Sequence, residues 1–240
     1  MAAPQVTVGV IKPGLESASH SQLERIMPNG VSFESLYLGI KYRSVAEFRE
    51  VMAAYEEKVP EMAARGVDLL HPEGAPPFML EGLDGERRRI AAWEEKFGIP
   101  VFTTGMTQLA AMEALGIKKF VGITPFSGEL ADIFQGYFTE AGLQGLSMTT
   151  PVPPPDSIYD HGADEIFDLM VATFKAQPAG ADALFVLGSD WPVFDIVDDL
   201  EAAIGVPVLH PVSVRCWYIQ KRLGMNQKVP GYGRILSDLP

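Results

Sequence analysis

A chain of 240 residues, 47% of them hydrophobic, can bury one large core or two small ones. Its formal net charge of −12 argues against nucleic acid or a membrane surface as partner, because both recruit concentrated positive charge. The single cysteine, Cys216, excludes an internal disulfide and fits a reducing compartment, and four scattered histidines show no HxxxH or CxxC spacing for a metal. No stretch reaches the ~20 apolar residues of a membrane span, and the start lacks the basic and apolar regions of a signal peptide. A soluble, cytoplasmic protein acting on a small diffusing molecule is expected.

Short apolar runs alternate with amphipathic segments, the pattern of parallel strands joined by crossover helices. In chain order, the reading begins with a strand at Val6–Ile11, then an irregular active-site loop and an added strand around Val31–Tyr37. Next come a helix at Ser44–Arg65, a strand at Val67–His71, a helix at Gly85–Phe97, a strand at Val101–Thr103 and a helix at Met106–Leu115. A strand at Phe120–Ile123 and a helix at Ser127–Ala141 precede the run Thr150–Asp156, whose prolines forbid helix or central strand. The remainder reads as helix Ala163–Ala176, strand Ala183–Leu187, helix Phe194–Ile204, strand Val206–Leu209 and helix Val214–Leu223. Gly66, Gly98, Gly116, Gly142, Gly205 and Gly224 stand where helices stop.

The chain nearly repeats itself. Gly66-Val67-Asp68-Leu69-Leu70 leads to Gly74 as Gly180-Ala181-Asp182-Ala183-Leu184 leads to Gly188, and Gly98-Ile99-Pro100-Val101 returns as Gly205-Val206-Pro207-Val208. More loosely, Val8-Gly9-Val10-Ile11-Lys12-Pro13 returns as Val121-Gly122-Ile123-Thr124-Pro125. The expected fold is therefore α/β: two pseudo-symmetric, doubly wound parallel-sheet halves, residues 1–115 with 210–240 and residues 116–209, with the active site between them. Ligands of parallel α/β sheets sit outside the carboxyl ends of the strands. That rule selects the loops Lys12–His20, Pro72–Phe78, Thr104–Met106, Thr124–Gly128, Gly188–Pro192 and His210–Ser213.

At these loops the sequence resembles the aspartate/glutamate racemase superfamily, most closely its arylmalonate decarboxylase and maleate cis-trans isomerase branch. The resemblance runs through Val8–Gly14, Gly66–Gly74, Gly98–Pro100, Thr124-Pro125-Phe126, Ala181–Gly188, Gly205–Val208, Trp217 and Pro230-Gly231-Tyr232-Gly233-Arg234. It implies cofactor-independent chemistry beside a carboxylate, with one or two catalytic cysteines just after equivalent strands. Those positions fall here on Gly74 and Gly188, so the catalytic thiols are absent, and glycine is neither nucleophile nor proton carrier. Cys216, between Arg215 and Trp217 on an expected helix, reads as an inert core or interface residue. Relatives carry carboxylate-binding hydroxyls where this chain has Ala75-Pro76-Pro77, and a tyrosine where it has Phe126, beside which Ser127 is a replacement hydroxyl.

Other residues must then carry the chemistry. Lys12, at a strand's carboxyl end, either pairs with a substrate carboxylate and a developing enolate or turns out to solvent. Glu73 and Asp190 flank the two glycines and form a general acid/base pair if both point inward; each is otherwise a helix cap. His71 and His210, each at a strand end before a proline, are either proton carriers or merely hydrogen-bonded. His161 reads as a lid residue or as surface. Thr124, Phe126 and Ser127, with Gly188, Ser189 and Trp191, precede helices whose amides can hold an oxyanion, while Gly74 and Ala75 line the first such turn. Gly188 either admits a ligand closely, supplies a positive φ, or only makes a tight turn.

The function expected is a lyase, decarboxylase-like, acting on a small carboxylate-bearing molecule without metal or organic cofactor and through an enolate-like intermediate. A hydrolase of small amides or lactones, a non-catalytic carboxylate binder, and a racemase or cis-trans isomerase are the alternatives. Assembly as a homo-oligomer is left open.

Overall fold

The computed structural model describes residues 6–15, 18–40, 44–152, 160–177, 180–189 and 191–239. It divides into two compact units, Met1–Thr107 and Gln108–Pro240. This division falls at 107/108, where sequence suggested 115/116, and it places residues 210–240 in the second unit.

In the first unit a three-stranded parallel sheet has the order β2-β1-β3, built from β1 (Val6–Lys12), β2 (Val31–Tyr37) and β3 (Leu69–Pro72). Four of its helices are α1 (Ala18–Ile26), α2 (Val45–Ala63), α3 (Ala75–Met79) and α4 (Gly82–Phe97), and α5 (Thr104–Ala114) spans the boundary. All of β3 and the last five residues of β1 are buried, as in parallel strands covered on both faces. Ser44 caps α2 through a capping box with Glu47, and the helix lays Phe48, Val51, Met52, Tyr55, Val59 and Met62 inward at helical spacing. The segment expected as a strand at Val101–Thr103 makes only a single parallel bridge, Leu70 to Val101.

Two elements depart from the sequence reading here. The loop expected before β2 contains α1, whose polar sequence hides a buried stripe of Ser19, Leu23 and Ile26. Ala75-Pro76-Pro77, expected as a remodelled loop, forms the first turn of α3; proline is tolerated there because first-turn N–H groups have no partner within the helix.

In the second unit the parallel order is β5-β4-β6-β7, from β4 (Lys119–Ile123), β5 (Gln144–Thr149), β6 (Ala183–Val186) and β7 (Val208–Leu209). Around it are α6 (Glu129–Glu140), α7 (Ala163–Lys175), a 3-10 turn (Phe194–Ile196), α8 (Val197–Ile204), α9 (Pro211–Arg222) and α10 (Arg234–Ser237). Phe120, Phe138 and Phe185 meet edge-on with centroids 4.9–5.6 Å apart. The C-terminal stretch is tied to α8 by Gly233 N–H to Asp198 (2.7 Å) and Arg234 N–H to Glu201, and Tyr232 stacks on Phe194 at 4.6 Å. No helix among the described residues is long and apolar enough to cross a membrane.

The internal echo has a physical meaning. Asp68 accepts the Thr7 N–H at 2.8 Å, and its counterpart Asp182 accepts the N–H groups of Lys118 and Lys119 at 2.8 and 2.7 Å. Likewise Glu94 accepts Val101 N–H and Glu201 accepts Val208 N–H, both at 2.9 Å, each across a left-handed glycine, Gly98 or Gly205. Each carboxylate pins the start of a strand, so the repeated letters are strand anchors. Because Asp182 satisfies two donors and Asp68 one, Asp182→Ala is expected to destabilise more than Asp68→Ala, which costs about 1 kcal/mol. Equal urea midpoints for the two variants would contradict this.

Candidate active site

In the first unit, the carboxyl ends of β1 and β3 gather a buried charged group. Lys12, the last residue of β1, does not turn to solvent: its Nζ donates to Ser19 Oγ at 2.7 Å and lies 3.7 Å from Glu73 Oε1. Glu73 is held through its backbone, its N–H donating to the Ile11 carbonyl at 2.8 Å and its own carbonyl accepting from the Tyr55 hydroxyl. Burial, and then the Glu73 charge, hold the Tyr55 hydroxyl well above its ordinary pKa, so it remains a donor. Taking a lysine and a carboxylate out of water is expensive unless each serves the other, which marks the pair as a candidate for chemistry.

Gly74 follows at φ 109°, and its N–H donates to Thr104 Oγ1 at 3.2 Å. A Cβ here would stand 2.8 Å from Pro13 Cγ and 3.2 Å from Tyr55 Oη, so both conformation and space demand glycine. Ala75 is buried in the first turn of α3, where Pro76 and Pro77 supply no N–H. His71 is fully buried within β3; its Nδ1–H donates to the Phe102 carbonyl at 2.8 Å, and the two rings stack 4.4 Å apart. Ser19, Tyr55 and Thr104 join this site without a sequence signal of their own, although Ser19 and Thr104 lie in loops that the strand-end rule selected.

In the second unit, the carboxyl ends of β4, β6 and β7 carry the remaining candidates. The buried Thr124 hydroxyl accepts the Phe126 N–H at 3.2 Å, which engages an amide that sequence assigned to an oxyanion. Phe126 packs edge-on against Phe134 at 5.6 Å, and Ser127 is exposed ahead of α6, whose first turn already carries Glu129 and Asp132. Gly188 does not have a positive φ. Glycine is required there because a Cβ would lie 2.9–3.1 Å from the indole of Trp191. Trp191 itself is fully buried in the apolar core. Ser189 is half-buried, and Asp190 lies outside the described residues. His161 pairs with Glu165 at 2.8 Å, at the start of α7.

His210 caps α9, its Nδ1 accepting the Val212 N–H at 3.3 Å. Burial, and secondarily the Arg215 charge, lower its pKa from 6.5 to about 3. The ring is thus neutral near pH 7, and of the two readings open from sequence, proton carrier or merely hydrogen-bonded ring, it fits the second. Between pH 6.5 and 3 the unfolded chain binds a proton at this residue and the native chain does not. Its contribution is therefore complete above pH 6.5 and falls by up to about 1.4 kcal/mol per pH unit as pH drops towards 3. His210→Asn should flatten the acid limb of a stability–pH curve; parallel curves would contradict a neutral buried His210. Burial also pushes the Cys216 thiol up to about 12, so no thiolate forms there near neutrality.

Two parallel-sheet α/β units with candidate groups at their strand ends are the fold of solved maleate isomerase and arylmalonate decarboxylase structures. The chain belongs to the arylmalonate decarboxylase family, whose model matches residues 8–236. It is 20% identical over 238 residues to the arylmalonate decarboxylase of Bordetella bronchiseptica, covering 97% of each chain. It is also 20% identical over 223 residues to a maleate isomerase of Geobacillus stearothermophilus, covering 90% of this chain and 88% of the relative. Among solved structures, a Cys-to-Ala maleate isomerase of Pseudomonas putida S16 with maleate superimposes with a TM-score of 0.84 at 18% identity, covering 97% of both chains.

Proposed function

We propose that the protein is a cofactor-independent decarboxylase of a small organic diacid, working through an enolate-like intermediate and without a cysteine nucleophile. The observation that supports this most is the buried Lys12–Ser19–Glu73 group beside Gly74. The Lys12 ammonium holds a substrate carboxylate and the charge that develops on it. As the C–C bond breaks, CO₂ departs and the bonding pair becomes the enolate. The proton that replaces CO₂ on carbon comes from the Lys12–Glu73 pair, which is recharged from solvent. Cys216, buried with its thiol protonated, takes no part.

Phenylmalonate, maleate and small amides or lactones, each incubated with the protein, separate the readings. CO₂ release from phenylmalonate is expected. Conversion of maleate to its trans isomer without CO₂ would instead favour an isomerase, the reading that the maleate isomerase relative supports. Acid release from amides alone would mark a hydrolase, and saturable binding without turnover a binding protein.

A further inference from the structure

Among the described residues, the start of α9 leaves two buried groups without an acceptor. His210 Nδ1 receives the Val212 N–H, so the proton of the neutral ring resides on Nε2. That nitrogen is buried and has no hydrogen-bond partner among the described residues. Ser213 Oγ is equally buried and equally unpartnered, although a helical serine ordinarily returns its hydroxyl to a carbonyl of the preceding turn. These are the cap and third positions of one helical turn, which share a face. Each unmet donor destabilises the free protein, a cost that a bound acceptor removes.

The surroundings favour negative charge. The two groups stand at the positive end of a 12-residue helix with no acidic residue in its first turn. The buried Arg215, two residues beyond Ser213, adds positive charge that acts on the imidazole. We propose that the N-terminal end of α9 is an anion site of the second unit, in which a carboxylate oxygen accepts from His210 Nε2 and Ser213 Oγ. This rests on the decarboxylase reading only for the class of anion, a small carboxylate. Phe194 packs against the imidazole, its ring centroid 5.4 Å from that of His210. His210 is thereby a hydrogen-bond donor that holds a ligand, and not a carrier of protons.

Malonate is the probe, titrated calorimetrically into wild type, Ser213→Ala and His210→Asn, with the imidazole N–H resonance of His210 followed by NMR. Ser213→Ala deletes a hydroxyl that has no hydrogen-bond partner among the described residues. Its unliganded Tm should equal or exceed that of wild type, while the malonate Kd rises about tenfold. His210→Asn keeps a capping acceptor but loses the Nε2 donor and should weaken binding at least as much. Malonate should also shift the wild-type Nε2–H resonance. Wild-type affinity in both variants, no binding to wild type, or a lowered unliganded Tm in Ser213→Ala with malonate affinity intact would each overturn the proposal. If malonate binds as described but no malonate releases CO₂, the anion site stands and the decarboxylase reading falls. Turnover with unchanged Kd in both variants gives the reverse.

Discussion

Replacing Lys12 with methionine is expected to lower turnover by about 10²–10³-fold, the loss that follows removal of one pre-organised charge from a water-excluded site. The same change leaves Glu73 buried without its cation. Breaking a buried pair on one side costs about 3–5 kcal/mol, because the remaining charge is uncompensated. Activity and stability therefore fall together in the single variant, and the double variant Lys12→Met/Glu73→Gln separates them. Neutralising the orphaned carboxylate should recover most of the stability while turnover stays low. A double variant that regains both would show that Lys12 serves folding alone. A single variant with wild-type turnover would remove Lys12 from the chemistry.

Putting a side chain at position 188 is the second large effect. The Cβ of Gly188→Cys would stand 2.9 and 3.0 Å from Cε2 and Cδ2 of Trp191, a rigid ring fixed in the core. Overpacking of this kind costs about 1–3 kcal/mol, and Gly188→Ala should cost nearly as much because Cβ is itself the clashing atom. Trp191→Leu is destabilising alone through the cavity it leaves. Combined with Gly188→Cys it relieves the clash, so the pair should be less destabilising than the sum of the singles by at least about 1 kcal/mol. Strict additivity would mean that the indole does not constrain residue 188. A thiol restored by this single substitution is not expected to bring racemase or isomerase activity, since the indole fills the space where a side chain would go.

How legible each feature was depended on the range of the interactions behind it. β1 and β3 were readable as short, largely apolar runs, and α2 as an amphipathic segment starting at Ser44 and stopping at Gly66. β5 was not: Gln144-Gly145-Leu146-Ser147-Met148-Thr149 sits at the sheet edge and lacks an apolar run, so pairing with β4, not composition, makes it a strand. α1 was hidden for a similar reason, its buried stripe including a serine. At the site, the strand-end rule brought out Lys12 and Glu73, but their pairing across 61 residues belongs to the parallel register of β1 and β3. The echo announced two similar halves but not the work of its acidic residues: Asp68, Asp182, Glu94 and Glu201 brace strands. Gly188 was read as close approach of a ligand, a positive φ or a tight turn, and none of these announces the indole beside it, which no local pattern reveals.

The claim that matters most is that chemistry beside a carboxylate proceeds here without a thiolate. Cys216→Ala yields a chain with no cysteine at all, and the measurement is its initial rate of CO₂ release from phenylmalonate beside that of wild type. The account predicts release by both at the same rate. Release by wild type that disappears in Cys216→Ala, or no release by either, would contradict it.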